Sequence, residues 1–373
     1  MSSEKTKNLL LATKLFQPPL APRRVERTNL VRRLNDGLAA GRLVTLVSAP
    51  AGYGKSSLIA EWASQSRWPV SWLSLDEADD EPLRFFAYFL ATLQRVDGQL
   101  GKELEWAIRA RQLPPQEVIV VSLVNDLSQA KSVFVCVLDD FQVIQDSLIL
   151  GVLNGLVAHQ PRQLHLMIAT REDPALPLAR LRARNQLTEV RAADLRFSEH
   201  EVGQFFREVM GLMLSDREVM LLAERTEGWI AGLQMAALSI QGRENPSEFI
   251  AALSGEHRFI LEYLTEEVLK RQPPEIQRFL LHTSILSGLS GDLCDAVTGQ
   301  AGNAVLLERL LAANLFIIPL DDQRRWYRYH RLFADLLQNQ LRRVHPQVVK
   351  ELHQRASAWY ESQNFPAEAI EHA

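Results

Sequence analysis

The residues richest in chemical possibility stand together in Ser48-Ala49-Pro50-Ala51-Gly52-Tyr53-Gly54-Lys55-Ser56-Ser57. Glycines let a backbone turn its N–H groups inward around an anion, a lysine reaches terminal phosphate oxygens, and a hydroxyl suits Mg²⁺. A helix that starts at such a loop adds the partial positive charge of its N-terminus. Gly52, Gly54, Lys55 and Ser56 supply these parts, with Pro50, Ala51, Tyr53 and Ser57 completing the loop wall. The chemistry is that of a phosphate-binding loop, with ATP or ADP and Mg²⁺ as the expected ligands. Ala49 stands where such loops usually carry their first glycine, and a bare Gly-Lys-Ser arises easily by chance. Its setting decides: a strand before it, a helix after it and an acidic strand downstream.

That acidic strand is Val133-Phe134-Val135-Cys136-Val137-Leu138-Asp139-Asp140. Asp139 has the position of the acid that organises Mg²⁺, so Ser56 and Asp139 are the expected metal ligands. For Asp140 two readings stand side by side: a group that orients an attacking water, or a turn residue before the next helix. Arg171 closes the next apolar run, 164–170, and strand ends of this kind face the ligand crevice. It is read as a γ-phosphate sensor, against a surface ion pair with Glu172 or Asp173. Asp139, Asp140 and Arg171 form the catalytic set. Arg180, Arg182 and Arg184 spread around a helix and are expected to be solvated. His330 stands alone, and by chemistry alone a lone histidine is more often a structural hydrogen-bonding group than a ligand. No nucleophilic triad, zinc spacing or aromatic-and-basic platform is visible.

These residues need strands that end on one edge. Residues 43–48, 69–75, 133–138, 164–170 and 187–191 read as strands of a parallel sheet, alternating with amphipathic segments. The nearly continuous apolarity of 133–138 predicts the central strand. In residues 82–96, Leu83, Phe86, Leu90 and Leu93 recur at helical spacing. After Arg196 only helices follow at first. Ser198 with Glu201 and Ser215 with Glu218 form capping boxes, flanked by the staple pairs Phe197/Val202 and Leu214/Val219. Residues 228–240, 259–270, 274–283 and 304–313 continue the helical pattern. Residues 315–320 and 324–329 around Asp321-Asp322 make a hairpin, then 330–341 returns to helix, and 347–373 is helical again. The fold class is thus an α/β P-loop NTPase of the additional-strand type, followed by an all-α helical domain and a winged-helix domain.

Length and charge bound the whole. The 373 residues allow two or three domains at roughly 150 residues each. A net charge of −4 gives no global field for nucleic acid or anionic lipid. Cys136 and Cys294 make neither a disulfide framework nor a metal cluster, which fits a reducing, cytoplasmic setting. Residues 1–16 lack a secretion signal, and no apolar run approaches the roughly 20 residues of a membrane span.

The ordered motifs resemble one family: signal-transduction ATPases with numerous domains (STAND), in the branch of large ATP-binding LuxR-type transcription regulators. The resemblance rests on Thr13-Lys14-Leu15 with Pro18, Pro19 and Pro22, the phosphate loop, Trp72-Leu73-Ser74-Leu75-Asp76 and Leu138-Asp139-Asp140-Phe141. It continues through Thr170-Arg171-Glu172-Asp173-Pro174, Asp194-Leu195-Arg196-Phe197, Gly228-Trp229-Ile230-Ala231-Gly232-Leu233-Gln234 and Tyr329-His330-Arg331-Leu332-Phe333. It implies a nucleotide switch: an ADP-bound closed form, and an ATP-bound form that self-associates with a small-molecule or protein inducer and hydrolyses ATP slowly. It also implies that Arg27 packs beside the adenine and His330 reaches the β-phosphate, whereas Gln234 replaces a related family's proline and is not expected to be a ligand. The implied organisation is an N-terminal arm (1–42), a nucleotide-binding domain (43–196), a helical domain (197–284), a winged-helix domain (285–345) and the start of helical repeats (346–373). DNA contact is expected from a helix-turn-helix beyond this chain, with no membrane partner. Two alternatives remain: a P-loop kinase or ATPase with rapid turnover, and a scaffold whose nucleotide is structural.

Overall fold

The computed structural model describes residues 10–159, 161–242, 246–255 and 257–373, so the expectation about a secretion signal in residues 1–16 falls largely outside them. The chain divides into two compact units. One holds the described residues up to Pro22, with Glu26–Ala49 and Gly54–Leu195; the other holds Arg23–Val25, Pro50–Tyr53 and Arg196–Ala373.

In the first unit, β1 (Val44–Ser48), β2 (Val70–Ser74), β3 (Phe134–Asp139), β4 (Leu164–Thr170) and β5 (Leu187–Arg191) form a parallel sheet in the order β2-β3-β4-β1-β5. β4 lies between the loop strand β1 and the acidic strand β3, which is the additional-strand topology. The central place therefore belongs to β4, not to the 133–138 strand expected there. β3 and β4 are both buried along their full length, so continuous apolarity reports coverage on two faces rather than rank in the sheet. Register sets the site: Ser48 pairs with Thr170 and Leu138 with Ile168, so Ala49, Asp139 and Arg171 leave the sheet at one edge.

The helix Pro82–Gln94 has a broader buried face than the expected stripe. Phe85, Tyr88 and Phe89 join Phe86, Leu90 and Leu93 in the core, while Leu83 is only half-buried. Phe85 and Phe89 stack with centroids 5.7 Å apart. Lys14 is buried and donates to Asp79 at 2.5 Å and Asp76 at 2.6 Å, which satisfies its charge within the fold.

The second unit is helical around a small hairpin. Both capping boxes form, with the backbone N–H of Ser198 donating to Glu201 at 2.9 Å and that of Ser215 to Glu218 at 2.7 Å. The expected 259–270 helix is split: Arg258–Leu264 continues as the π-helical turn Thr265–Leu269. The hairpin is shorter than expected, with β6 (Ile317–Pro319) antiparallel to β7 (Tyr327–Tyr329), and Leu289 bridges Tyr327 on the other side. His330 follows β7 at once and occupies the N-cap of the helix Arg331–Val344. Pro346–Ser362 and Pro366–His372 close the chain, joined by Ser357 Oγ donating to the Ala369 carbonyl at 2.9 Å. Among the described residues, no helix is long and apolar enough to cross a membrane.

Candidate nucleotide site

The phosphate loop lies between β1 and the helix Lys55–Ser64, with Gly54 at the helix N-cap and φ +77°. In the first unit, Lys55 Nζ donates to the carbonyl of Ala49 at 2.8 Å, so the ammonium is folded back over its own loop. Ser56 Oγ donates to Asp139 Oδ1 at 2.8 Å, and the backbone N–H of Asp140 donates to the same oxygen at 3.1 Å. Burial and the Asp140 charge push the Asp139 carboxyl up to about 6, against the Ser56 hydrogen bond. Burial and Arg171 pull the Lys55 ammonium down to about 8, against Asp140 and Asp139. Two buried groups of opposite sign, each held toward neutrality, form a site suited to an incoming phosphate and a hard cation.

Asp140 stands in the left-handed region at φ +57° and makes no side-chain cap hydrogen bond. Its Oδ1 accepts from Gln142 Nε2 at 3.0 Å, while Gln142 Oε1 accepts from the backbone N–H of Arg171 at 3.0 Å. Gln142 thus links the two strand ends, a role that no sequence motif marks. Asp173 pairs with Arg191, and the Arg182 side chain pairs with Glu189. Arg27 donates through its guanidinium to the carbonyls of Leu195 at 2.8 Å and Asp194 at 3.0 Å, and its backbone N–H donates to Glu61 at 3.2 Å. Glu61 lies on the helix that opens at Lys55.

In the second unit, the segment Pro50–Tyr53 meets the turn around Trp229. Trp229 Nε1 donates to the Ala51 carbonyl at 3.1 Å, and the Ala231 N–H donates to the Gly52 carbonyl at 3.1 Å. Gly52 has φ +75°, and a Cβ there would lie 2.5 Å from the Ala231 Cβ, so both conformation and space demand glycine. Burial raises the Tyr53 phenol to about 12.

His330 is 1% exposed, and its ring packs against Trp229 and Phe316 with centroids 5.9 and 5.6 Å away. Its Nε2–H donates to the Thr226 carbonyl at 3.0 Å, while Nδ1 is buried with no hydrogen-bond partner among the described residues. Buried His165 differs: Nδ1–H donates to the Arg42 carbonyl at 2.7 Å and Nε2 accepts from Thr45 at 2.8 Å. Burial lowers His330 to about 4. Beside it, Glu227 accepts both guanidinium nitrogens of Arg328 at 2.7 and 2.9 Å and the Arg331 N–H at 3.0 Å. Burial opposes its ionisation, but these partners hold its carboxyl at about 2. Phe316, whose carbonyl accepts the His330 N–H at 2.7 Å, sits at φ +55°, a strained backbone for a bulky residue. Trp229 belongs to the motif Gly228-Trp229-Ile230-Ala231-Gly232-Leu233-Gln234, whereas no local pattern marks Glu227 or Phe316.

The MalT winged helix domain family matches residues 265–349. The HTH-type transcriptional regulator MalT of Yersinia pestis is 32% identical over 369 residues, 98% of this chain and 40% of that protein. The chain is thus MalT-like over nearly all of its own length. This MalT-like chain is also 33% identical over 346 residues to the serine/threonine-protein kinase PknK of Mycobacterium tuberculosis, covering 91% of the chain and 31% of that protein. It therefore spans about a third to two-fifths of the length of these curated relatives. A Walker-type ATPase of Pyrococcus abyssi shares the fold, with a TM-score of 0.58 and 18% identity over 86% of this chain and 98% of that one.

Proposed function

We propose that the MalT-like chain is a nucleotide-dependent switch, resting with ADP and activated by ATP together with an inducer. The observation that carries this reading is the meeting of Lys55, Ser56 and Asp139 at one sheet edge, with Asp140 and Arg171 joined through Gln142. Lys55 grips phosphate oxygens and Arg171 reports the γ-phosphate. Pro50, Ala51, Gly52, Tyr53, Gly54 and Ser57 line the phosphates, and Arg27 steadies the arm beside the base. Ser56 and Asp139 are the oxygen donors that would hold Mg²⁺; their mutual hydrogen bond brings a hydroxyl and a carboxylate together, a donor set that fits a hard cation. When bound, that ion neutralises charge on the phosphate oxygens. Asp140 orients water for slow hydrolysis, which resets the state.

In this reading, His330 makes the contact that differs between states, and its Nδ1, which has no hydrogen-bond partner among the described residues, is the atom left to meet a β-phosphate. A ligand shifts an equilibrium only through such differential contact. Relatives named as a transcription regulator and as a kinase share this segment, which supports a switch whose output lies elsewhere in the protein. We assign the chain to a cytoplasmic transcription activator that contacts DNA through another domain and self-associates in its ATP form.

The test measures mass and size of the chain with ADP, ATP and a non-hydrolysable analogue, and ADP release from wild type and His330→Ala. Growth in size with the ATP analogue and faster ADP release from the variant are expected. Equal ADP release rates remove His330 from the mechanism, and identical sizes in all nucleotides remove the switch.

A further inference from the structure

We propose that a cavity in the second unit binds a small organic anion, a carboxylate or phosphate monoester with an apolar body. It lies among Arg258–Leu264, its continuation Thr265–Leu269, the helix Pro274–Thr283 and the end of Arg331–Val344. Its volume is about 570 Å³, within the range of small-molecule sites. Nothing in the nucleotide reading uses it, and the inference stands independently of that reading.

The apolar part of the lining comes from Leu261, Leu269 and Leu281. The charges around it are unevenly matched. Glu262 is taken by Arg258 at 2.9 Å and Glu266 by Lys270 at 2.6 Å, each one helical turn away. Arg278 and Arg343, which also line the cavity, make no ion pair among the described residues. Guanidinium groups suit carboxylate and phosphate because their fork donates two parallel hydrogen bonds.

A polar group inside the lining is also left over. Helical threonines of this chain donate back to the carbonyl four residues earlier: Thr226 to Leu222 at 2.7 Å, Thr283 to Phe279 at 2.8 Å and Thr298 to Cys294 at 2.7 Å. Thr265 opens the π-helical turn, and its Oγ1 is buried without a partner among the described residues. Such turns recur at functional sites because they release groups from the regular ladder, and a buried hydroxyl without a partner is costly.

The far wall is electropositive. His282 is held below the ordinary imidazole value by burial and then by His345, Arg278 and Arg355, with Glu351 opposing. An anion here would reverse that balance and draw a proton onto His282, so binding tightens as pH falls through the imidazole range.

The test uses octanoate and octyl phosphate as probes, octanol as the uncharged body and acetate as the bare anion, measured by calorimetry on the intact chain. Octanoate, octyl phosphate or both should bind at least about tenfold more tightly than octanol or acetate; whichever is tighter identifies the headgroup. Arg278→Gln with Arg343→Gln, both exposed, should remove about tenfold of that affinity without changing the melting temperature. Octanol binding as tightly as the anions, affinity unchanged in the arginine double variant, or no binding of either anion at millimolar concentration would overturn the proposal.

Discussion

The indole Nε1–H of Trp229 donates to the carbonyl oxygen of Ala51 at 3.1 Å, joining positions 178 apart in sequence. The indole therefore fixes the apex of the phosphate loop to the turn that also holds His330, whose ring lies 5.9 Å away, centroid to centroid. Trp229→Phe keeps an aromatic ring but removes the donor and leaves a buried carbonyl and a small void. Chemical denaturation should show a loss of about 2 kcal/mol, and an unchanged midpoint would show that the bond contributes nothing.

Lys55 has its ammonium lowered to about 8 by burial and by Arg171. Only the charged form attracts phosphate, so nucleotide affinity should fall as pH rises above about 8. Lys55→Ala should weaken ADP binding by about tenfold to a hundredfold, the worth of hydrogen bonds to charged groups. Calorimetry from pH 7 to 9.5 checks both, and the variant should lose the pH dependence along with the affinity.

Asp139 has the opposite linkage. Its folded carboxyl is raised to about 6 by burial and Asp140, so the native state holds its proton more strongly than the unfolded chain. That contribution is present at low pH and is lost as pH rises through the interval up to about 6. Asp139→Asn should therefore be more stable than wild type at pH 7.5, by up to about 2 kcal/mol, and the gap should close toward pH 4. It should also lose Mg²⁺-dependent nucleotide affinity. Parallel melting curves at every pH would contradict this account.

His330 is pulled down to about 4 by burial, so the unfolded chain binds its proton first as pH falls. Stability from this group is present above the ordinary imidazole value and is lost on acidification. Between pH 7 and pH 4.5 the wild type should lose about 2 kcal/mol more than His330→Asn. Urea unfolding at the two pH values measures the difference, and identical losses would place His330 in contact with water.

Much of the site was legible because its chemistry is contiguous. The loop around Lys55, the Asp139-Asp140 pair and Arg171 are each marked by an apolar run ending in a polar residue, and strand ends of a parallel sheet share an edge. The capping boxes at Ser198 and Ser215 were equally local, since one hydroxyl and one carboxylate three residues apart specify a helix start. Gln116–Ser128 and Ser147–His159 were missed. The first is rich in β-branched residues and the second is apolar nearly all round, so neither shows the helical period clearly.

By itself, the sequence determined the parallel-sheet class and marked the phosphate-loop motif with its candidate phosphate and magnesium residues, because those depend on spacings of a few positions. Tertiary structure decided that β4 and not β3 is central, that Gln142 joins Asp140 to Arg171, and that Thr265 Oγ1 is buried without a hydrogen-bond partner among the described residues. Those depend on pairing, burial and helix register across distant segments. No run of neighbouring residues encodes which of two apolar strands, each paired on both edges, takes the middle of the sheet, or which buried polar atom is left without a partner.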